Sequence, residues 1–181
     1  EGKLYKPFIV KKIINQDGST FKEFTPTLLR DLTQKQENDV VISPSTFKVV
    51  KEALGRVVQG DRGTAKFWKI PGIKMGGKTG TSQVQGFTSD QIYVKCETRP
   101  MHMRHHGFFI AFAPLENPEI TVAVLTEHSC HGNTGSAPIV KEIMEAYFKK
   151  YHPEIELYPK KNKLQAPVSP PVEQIETVEG E

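Results

Sequence analysis

Two apolar runs, Gly107-Phe108-Phe109-Ile110-Ala111-Phe112-Ala113 and Ile120-Thr121-Val122-Ala123-Val124-Leu125-Thr126, flank the linker Pro114-Leu115-Glu116-Asn117-Pro118. Both runs are rich in β-branched and aromatic side chains, and the prolines bound a turn, so the pair predicts an antiparallel hairpin. Both faces of the hairpin are apolar enough to sit centrally in a sheet. A turn centred on Glu116 sets His102 opposite Cys130 and Arg104 opposite His128.

The rest of the chain supplies partners for that hairpin. Phe8 to Ile14 is β-rich, Gln16-Asp17-Gly18 signals a turn, and Ser19 to Phe24 returns as a second strand. Ser43-Pro44 predicts a helix N-terminus, followed by Phe47, Val50, Ala53, Leu54, Val57 and Val58 at helical spacing up to Gly60. Ile73 to Val84 is extended, and Gln85 to His105, with no clear period, forms a long loop. Ser136-Ala137-Pro138 opens another helix with Ile139, Val140, Ile143, Met144, Tyr147 and Phe148 on one face. Lys149 and Lys150 lie in its last turn, where the helix dipole favours cations. That helix is expected to cover the sheet. Phe67 and Trp68 read as core or cleft-wall packing.

A chain of 181 residues suits one domain with a sizeable core. Residues 1–158 carry the periodic elements. Residues 159–181, lysine-rich and then rich in proline and glutamate, are expected to be a disordered tail. No apolar run approaches the roughly 18 residues that cross a membrane. The net charge of +3, without a basic stripe interleaved with aromatics, argues against a nucleic-acid partner. Cys96 and Cys130 leave one bridge or two free thiols open.

Gly76-Gly77-Lys78-Thr79-Gly80-Thr81-Ser82-Gln83 places one lysine between glycines and threonines. One reading is an ordinary polar strand entry. The other is a cationic strand at a cleft: Lys78 raises the local positive potential, Thr79 and Thr81 donate hydrogen bonds, and Gly80 admits a ligand backbone. Such a strand suits an extended peptide ending in a carboxylate, and the Thr81 amide can serve an oxyanion.

The Lys-Thr-Gly triplet is one signature of the penicillin-recognising serine enzymes. With Gly63-Thr64-Ala65 before it and His106-Gly107 to Ala113-Pro114 and Ser136-Ala137-Pro138-Ile139 after it, the chain resembles the C-terminal half of a class B penicillin-binding protein transpeptidase domain. The elongation-type penicillin-binding protein 2 is the nearest in pattern. Gly2-Lys3-Leu4-Tyr5-Lys6-Pro7 resembles the strand entry after that family's second signature. The resemblance implies an α+β fold, an antiparallel β-sheet flanked by helices of the serine β-lactamase and penicillin-binding transpeptidase type. It implies that Lys78 and Thr79 line the cleft and that Thr79 and Thr81 hold the carboxylate of a stem peptide ending in D-Ala-D-Ala or of a β-lactam. Gly80 gives access, the Thr81 amide forms half of an oxyanion hole, and no cofactor or metal is called for. Implied partners are the N-terminal half of the same protein, a RodA-type polymerase and an MreC-type scaffold, at the periplasmic face of a bacterial inner membrane. The rival readings are a β-lactamase or D,D-carboxypeptidase of the same superfamily, or a non-catalytic peptidoglycan-binding module.

Acyl transfer of this kind needs a Ser-x-x-Lys nucleophile. Ser45-Thr46-Phe47-Lys48 has that spacing, yet it lies too close to Lys78 and inside the helix that resembles the one preceding the Lys-Thr-Gly strand. Ser-x-Asn occurs nowhere. Ser45 is therefore read as a coincidence, and the chain as half of a site, inactive by itself. His102, His105, His106, His128 and His131 are read as a polar rim of the cleft in preference to zinc ligands.

Overall fold

The structure is a computed structural model, described here over residues 2–35, 40–86 and 88–158. Its centre is a three-stranded antiparallel sheet in the order β5 (Gly76–Ser82), β6 (His106–Ala113), β7 (Ile120–Thr126). The expected hairpin is thus present, with β6 central and β7 at the edge among the described residues. Its register lies one residue from the expected one: Gly107 opposes Thr126 and Ala113 opposes Ile120. Because side chains alternate with period two, that slip changes which residues meet beyond the strand ends.

Alternation sorts the sheet into two faces. Phe109, Ala111, Ala113 and Val122 are buried on one, against Ala137, Val140, Met144 and Phe148 of helix α3 (Ala137–Tyr151). Burying side chains of this size contributes roughly 1.5–3 kcal/mol each for the larger ones. Ile139 and Ile143 are more than 40% exposed, so the buried stripe of α3 is narrower than the sequence pattern suggests. On the opposite sheet face Phe108, Ile110 and Leu125 are 37%, 49% and 49% exposed.

Helix α1 (Pro44–Gln59) forms where expected. Ser43 Oγ accepts from the Thr46 amide, Pro44 takes the first helical position, and the Gly60 amide closes the last turn onto the Arg56 carbonyl. Val58 anchors it in the core beside Ala65 and Met75, which brings its C-terminal half against β5. Trp68 packs on that core, whereas Phe67 is 78% exposed and so is not the core residue expected.

At the N-terminus, β2 (Lys12–Ile14) and β3 (Thr20–Glu23) make the expected hairpin, shorter than the pattern suggested. A second small antiparallel pair, β1 (Lys3–Tyr5) with β4 (Leu28–Asp31), was not anticipated. The long loop carries short 3-10 turns at Cys96–Thr98 and Met101–Met103, and a one-turn helix α2 (Gly132–Gly135) precedes α3. The expected disordered tail, 159–181, lies outside the described residues.

Candidate active site

Strand β5 borders only β6 among the described residues, so its other edge is open. Lys78, Thr79, Gly80 and Thr81 oppose Ile110, Phe109, Phe108 and Gly107. By strand alternation Thr79 and Thr81 share one face and Lys78 and Gly80 the other. The Lys78 Nζ curls over the edge and donates to the Thr79 carbonyl at 2.5 Å. Residues two apart point their backbone groups the same way, so the Thr81 amide is directed to the side on which the ammonium sits.

Lys78 stands between two clefts. One, of about 570 Å³, is lined by Arg56, Val57, Asp61, Arg62, Thr64 and Lys78. The other, of about 420 Å³, runs from Lys78 and Gly80 over the exposed apolar face formed by Phe108, Ile110 and Leu125. Three cations against one carboxylate give the first cleft a potential that favours an anion. Arg56 and Arg62 were not singled out from sequence, where nothing marks them apart from ordinary surface arginines. In the sequence Thr64 stands out only as part of Gly63-Thr64-Ala65. Here its hydroxyl lies 3.1 Å from that of Thr79, so the loop after α1 holds a side chain of β5.

Ser45 is elsewhere. It sits in the first turn of α1, its Oγ 2.8 Å from Ser43 Oγ, while the residues of α1 that line a cleft with Lys78 are Ala53, Arg56 and Val57 in its C-terminal half. At 1.5 Å rise per residue Ser45 lies about 12 Å along the axis from Ala53 and about 17 Å from Arg56. The geometry does not bring Ser45 and Lys48 to Lys78.

Around the start of β6 and the turn after β7 lie four of the histidines. Cys130 is bonded to Cys96, and both are buried, so Cys130 does not face His102 as the turn-centred register suggested. The Cys130 amide donates to the His105 carbonyl at 2.9 Å and the His128 amide to His106 Nδ1 at 3.0 Å. His128 Nδ1 lies 3.1 Å from the Arg104 carbonyl, and His131 Nε2 lies 3.0 Å from Glu97 Oε1. Desolvation, reinforced by Arg99, His131 and His106, pushes the His105 imidazole below its usual pKa. His128 and Cys130 occupy the left-handed backbone region at φ 54° and 69°, which costs roughly 1–3 kcal/mol per residue without glycine.

The family model for the penicillin binding protein transpeptidase domain matches residues 1–145. The chain belongs to the penicillin-binding protein transpeptidase family. Peptidoglycan D,D-transpeptidase MrdA of Haemophilus influenzae is 25% identical over 159 residues, 87% of this chain and 23% of that protein. Stage V sporulation protein D of Bacillus subtilis is 32% identical over 169 residues, 91% of this chain and 22% of that protein. The chain thus spans less than a quarter of the length of these relatives. Pseudomonas aeruginosa PBP2, solved in complex with WCK 5153, is 28% identical with a TM-score of 0.53, over 81% of this chain and 27% of that one. The D,D-transpeptidase domain of a peptidoglycan glycosyltransferase from Eggerthella lenta superposes with a TM-score of 0.60 at 23% identity, covering 82% and 28% of the two chains. The antiparallel sheet with its flanking helices is accordingly the fold of penicillin-binding transpeptidase domains.

Proposed function

We propose that this chain is the substrate-binding part of a peptidoglycan D,D-transpeptidase of cell-wall elongation. The observation that carries the reading is the open-edged strand β5 with Lys78, Thr79, Gly80 and Thr81 set between a cationic cleft and an apolar one. A stem peptide ending in D-Ala-D-Ala lies along β5, its carboxylate held by the Thr79 and Thr81 hydroxyls near the Lys78 ammonium. The Thr81 amide donates to the oxygen of the penultimate D-Ala carbonyl as negative charge develops there.

A serine oxygen then bonds to that carbonyl carbon, the peptide C–N bond breaks, and D-Ala departs with the serine proton. An amine of a neighbouring stem peptide displaces the serine, which regains a proton as the cross-link forms. The serine comes from an N-terminal segment outside these 181 residues. Two observations support that part: Ser45 lies about 12 Å or more along α1 from the residues that line a cleft with Lys78, and the apolar sheet face at Phe108, Ile110 and Leu125 has no covering layer among the described residues. The same N-terminal segment covers that face. A β-lactam takes the place of the stem peptide at the same strand. A RodA-type polymerase and an MreC-type scaffold as partners, and the periplasmic face of the inner membrane as location, belong to this reading through the likeness to elongation-type relatives.

Labelled penicillin tests it. The full-length protein takes up label on a serine outside residues 1–181, and the isolated 181-residue chain takes up none. Label on Ser45, or a full-length protein that never labels, would overturn the reading.

A further inference from the structure

We infer that the Cys96–Cys130 disulfide is a positioning cross-link for the binding strand, holding β5 in place through the turn that follows β7. The inference rests on the reading of β5 as the substrate-binding strand.

The contacts run in sequence. Cys96 lies in the segment before β6 and Cys130 in the turn after β7, so the bond joins the same end of two adjacent strands from both sides. Cys130 and His128 both hold left-handed backbone conformations that these side chains rarely adopt. Such a turn persists only where its surroundings over-determine it. Here the covalent bond does so, together with the Cys130 amide on the His105 carbonyl and the His128 amide on His106 Nδ1.

Two residues beyond Cys130 the chain meets the binding strand. Gly132 is seated so closely that an added Cβ would stand 1.9 Å from the Phe108 carbonyl oxygen and 2.8 Å from that of Gly80. Gly80 is the glycine of Lys-Thr-Gly, and Phe108 is its partner across β5 and β6. Backbone presses on backbone at this point, with no flexible side chain between to absorb a shift. A second tie follows, since Ser136 Oγ, fully buried, donates to the carbonyl of Gly107, the residue opposite Thr81. A turn released at Cys130 therefore moves the segment that backs Gly80 and Thr81. A displacement of one ångström at a reacting group is enough to cost about 100-fold in rate. The sequence could not show this, because the cysteines and the Lys-Thr-Gly strand are joined only through the fold.

The test compares the oxidised full-length protein with its Cys96→Ser/Cys130→Ser variant, and with oxidised protein treated with a water-soluble phosphine. The phosphine takes up the oxygen of one water, becomes the phosphine oxide and leaves two thiols. Hydrogen exchange is read on peptides spanning 44–59, 76–82, 106–113, 120–126 and 137–151. The expected result is at least a tenfold loss of protection at 76–82 on loss of the bond, with α1 unchanged. A uniform loss across β5, β6, β7 and α3, or no change at 76–82, marks a general stabilising staple and overturns the inference. A second readout is the acylation rate by labelled penicillin, expected to fall roughly 10- to 100-fold while final stoichiometry holds. An unchanged rate overturns the inference. Absence of label on the oxidised protein sinks the proposed transpeptidase function, and the exchange result still decides whether the cross-link holds the strand.

Discussion

The Thr64 and Thr79 hydroxyl oxygens lie 3.1 Å apart, joining the loop after α1 to the strand that carries Lys78. One donates and the other accepts, so the orientation of the Thr79 hydroxyl toward a ligand is set by a residue outside the Lys-Thr-Gly triplet. A neutral hydrogen bond of this kind is worth about 1 kcal/mol net, equivalent to roughly fivefold. Thr64→Val should slow acylation by labelled penicillin by about that factor. Because Thr64 is exposed, the melting temperature should barely move. A drop as large as that of Thr79→Val would mean that Thr64 touches the ligand itself.

Lys78 is exposed and caps the Thr79 carbonyl, so it is available to a ligand. Lys78→Ala removes the ammonium nearest the proposed carboxylate and the restraint on the strand edge together. Acylation of the full-length protein should fall by about 100-fold or more, the scale on which single electrostatic groups act in such sites. Circular dichroism and thermal melts should match the parent protein, since the side chain is not part of the core. Retained acylation would remove Lys78 from the site.

How much of this was readable in the sequence depends on the range of the interaction. Helix α1 was legible to within a residue because its start rests on local chemistry, Ser43 and Pro44, and its end on Gly60. The β6–β7 hairpin was legible as a pair but not in register, since the turn from Pro114 to Glu119 does not close symmetrically about Glu116. Lys78, Thr79, Gly80 and Thr81 were found through their resemblance to a motif, and the structure adds only their setting. The Thr64 to Thr79 contact, the seat of Gly132 on Gly80, and the pairing of Cys96 with Cys130 depend on non-local packing that no periodicity encodes. Exposure of Phe67, Ile139 and Ile143 was misread for a related reason: an apolar residue says nothing about which neighbour will cover it.

Ser43 and Ser45 separate a structural serine from an incidental one. Ser43 Oγ receives the Thr46 amide, whereas Ser45 Oγ, among the described residues, meets only the Ser43 hydroxyl, at the exposed end of α1. Ser43→Ala should destabilise the protein by about 1 kcal/mol through loss of the N-cap. Ser45→Ala should cost less than half of that and leave penicillin labelling of the full-length protein unchanged. Denaturant titrations and a labelling assay on the two variants distinguish them.

Phe148 is fully buried on α3 and belongs to the cluster that covers Phe109 and Ala111. Phe148→Ala removes an aromatic ring from the layer that packs on β6 and β7, a change that typically costs 3–5 kcal/mol. Urea unfolding should show a loss of about that size. A loss below about 1 kcal/mol would indicate that α3 does not pack on the sheet as described.

His152 closes α3 onto the loop before β7, its Nε2 2.6 Å from Glu119 Oε2 and its Nδ1 3.1 Å from Glu154 Oε1. Both carboxylates raise the imidazole pKa above its ordinary 6.5, Glu154 first and Glu119 next. In the unfolded chain the Glu119 contact is lost and Glu154, two residues away, is no longer held in place, so the folded state binds the proton more tightly. The stabilisation is therefore fully present below about pH 6.5 and is lost as pH rises through the higher folded value. His152→Gln keeps a polar side chain of similar reach and loses the charge. Compared by urea unfolding, the parent protein should exceed the variant at about pH 5.5, where the carboxylates remain ionised, and the gap should close by about pH 9. The pair is partly exposed, so added salt at about 0.5 M should shrink the low-pH gap as well. A gap that is constant across this range, or that widens with pH, would show that His152 acts through packing against Phe148 and Tyr147 and not through its charge.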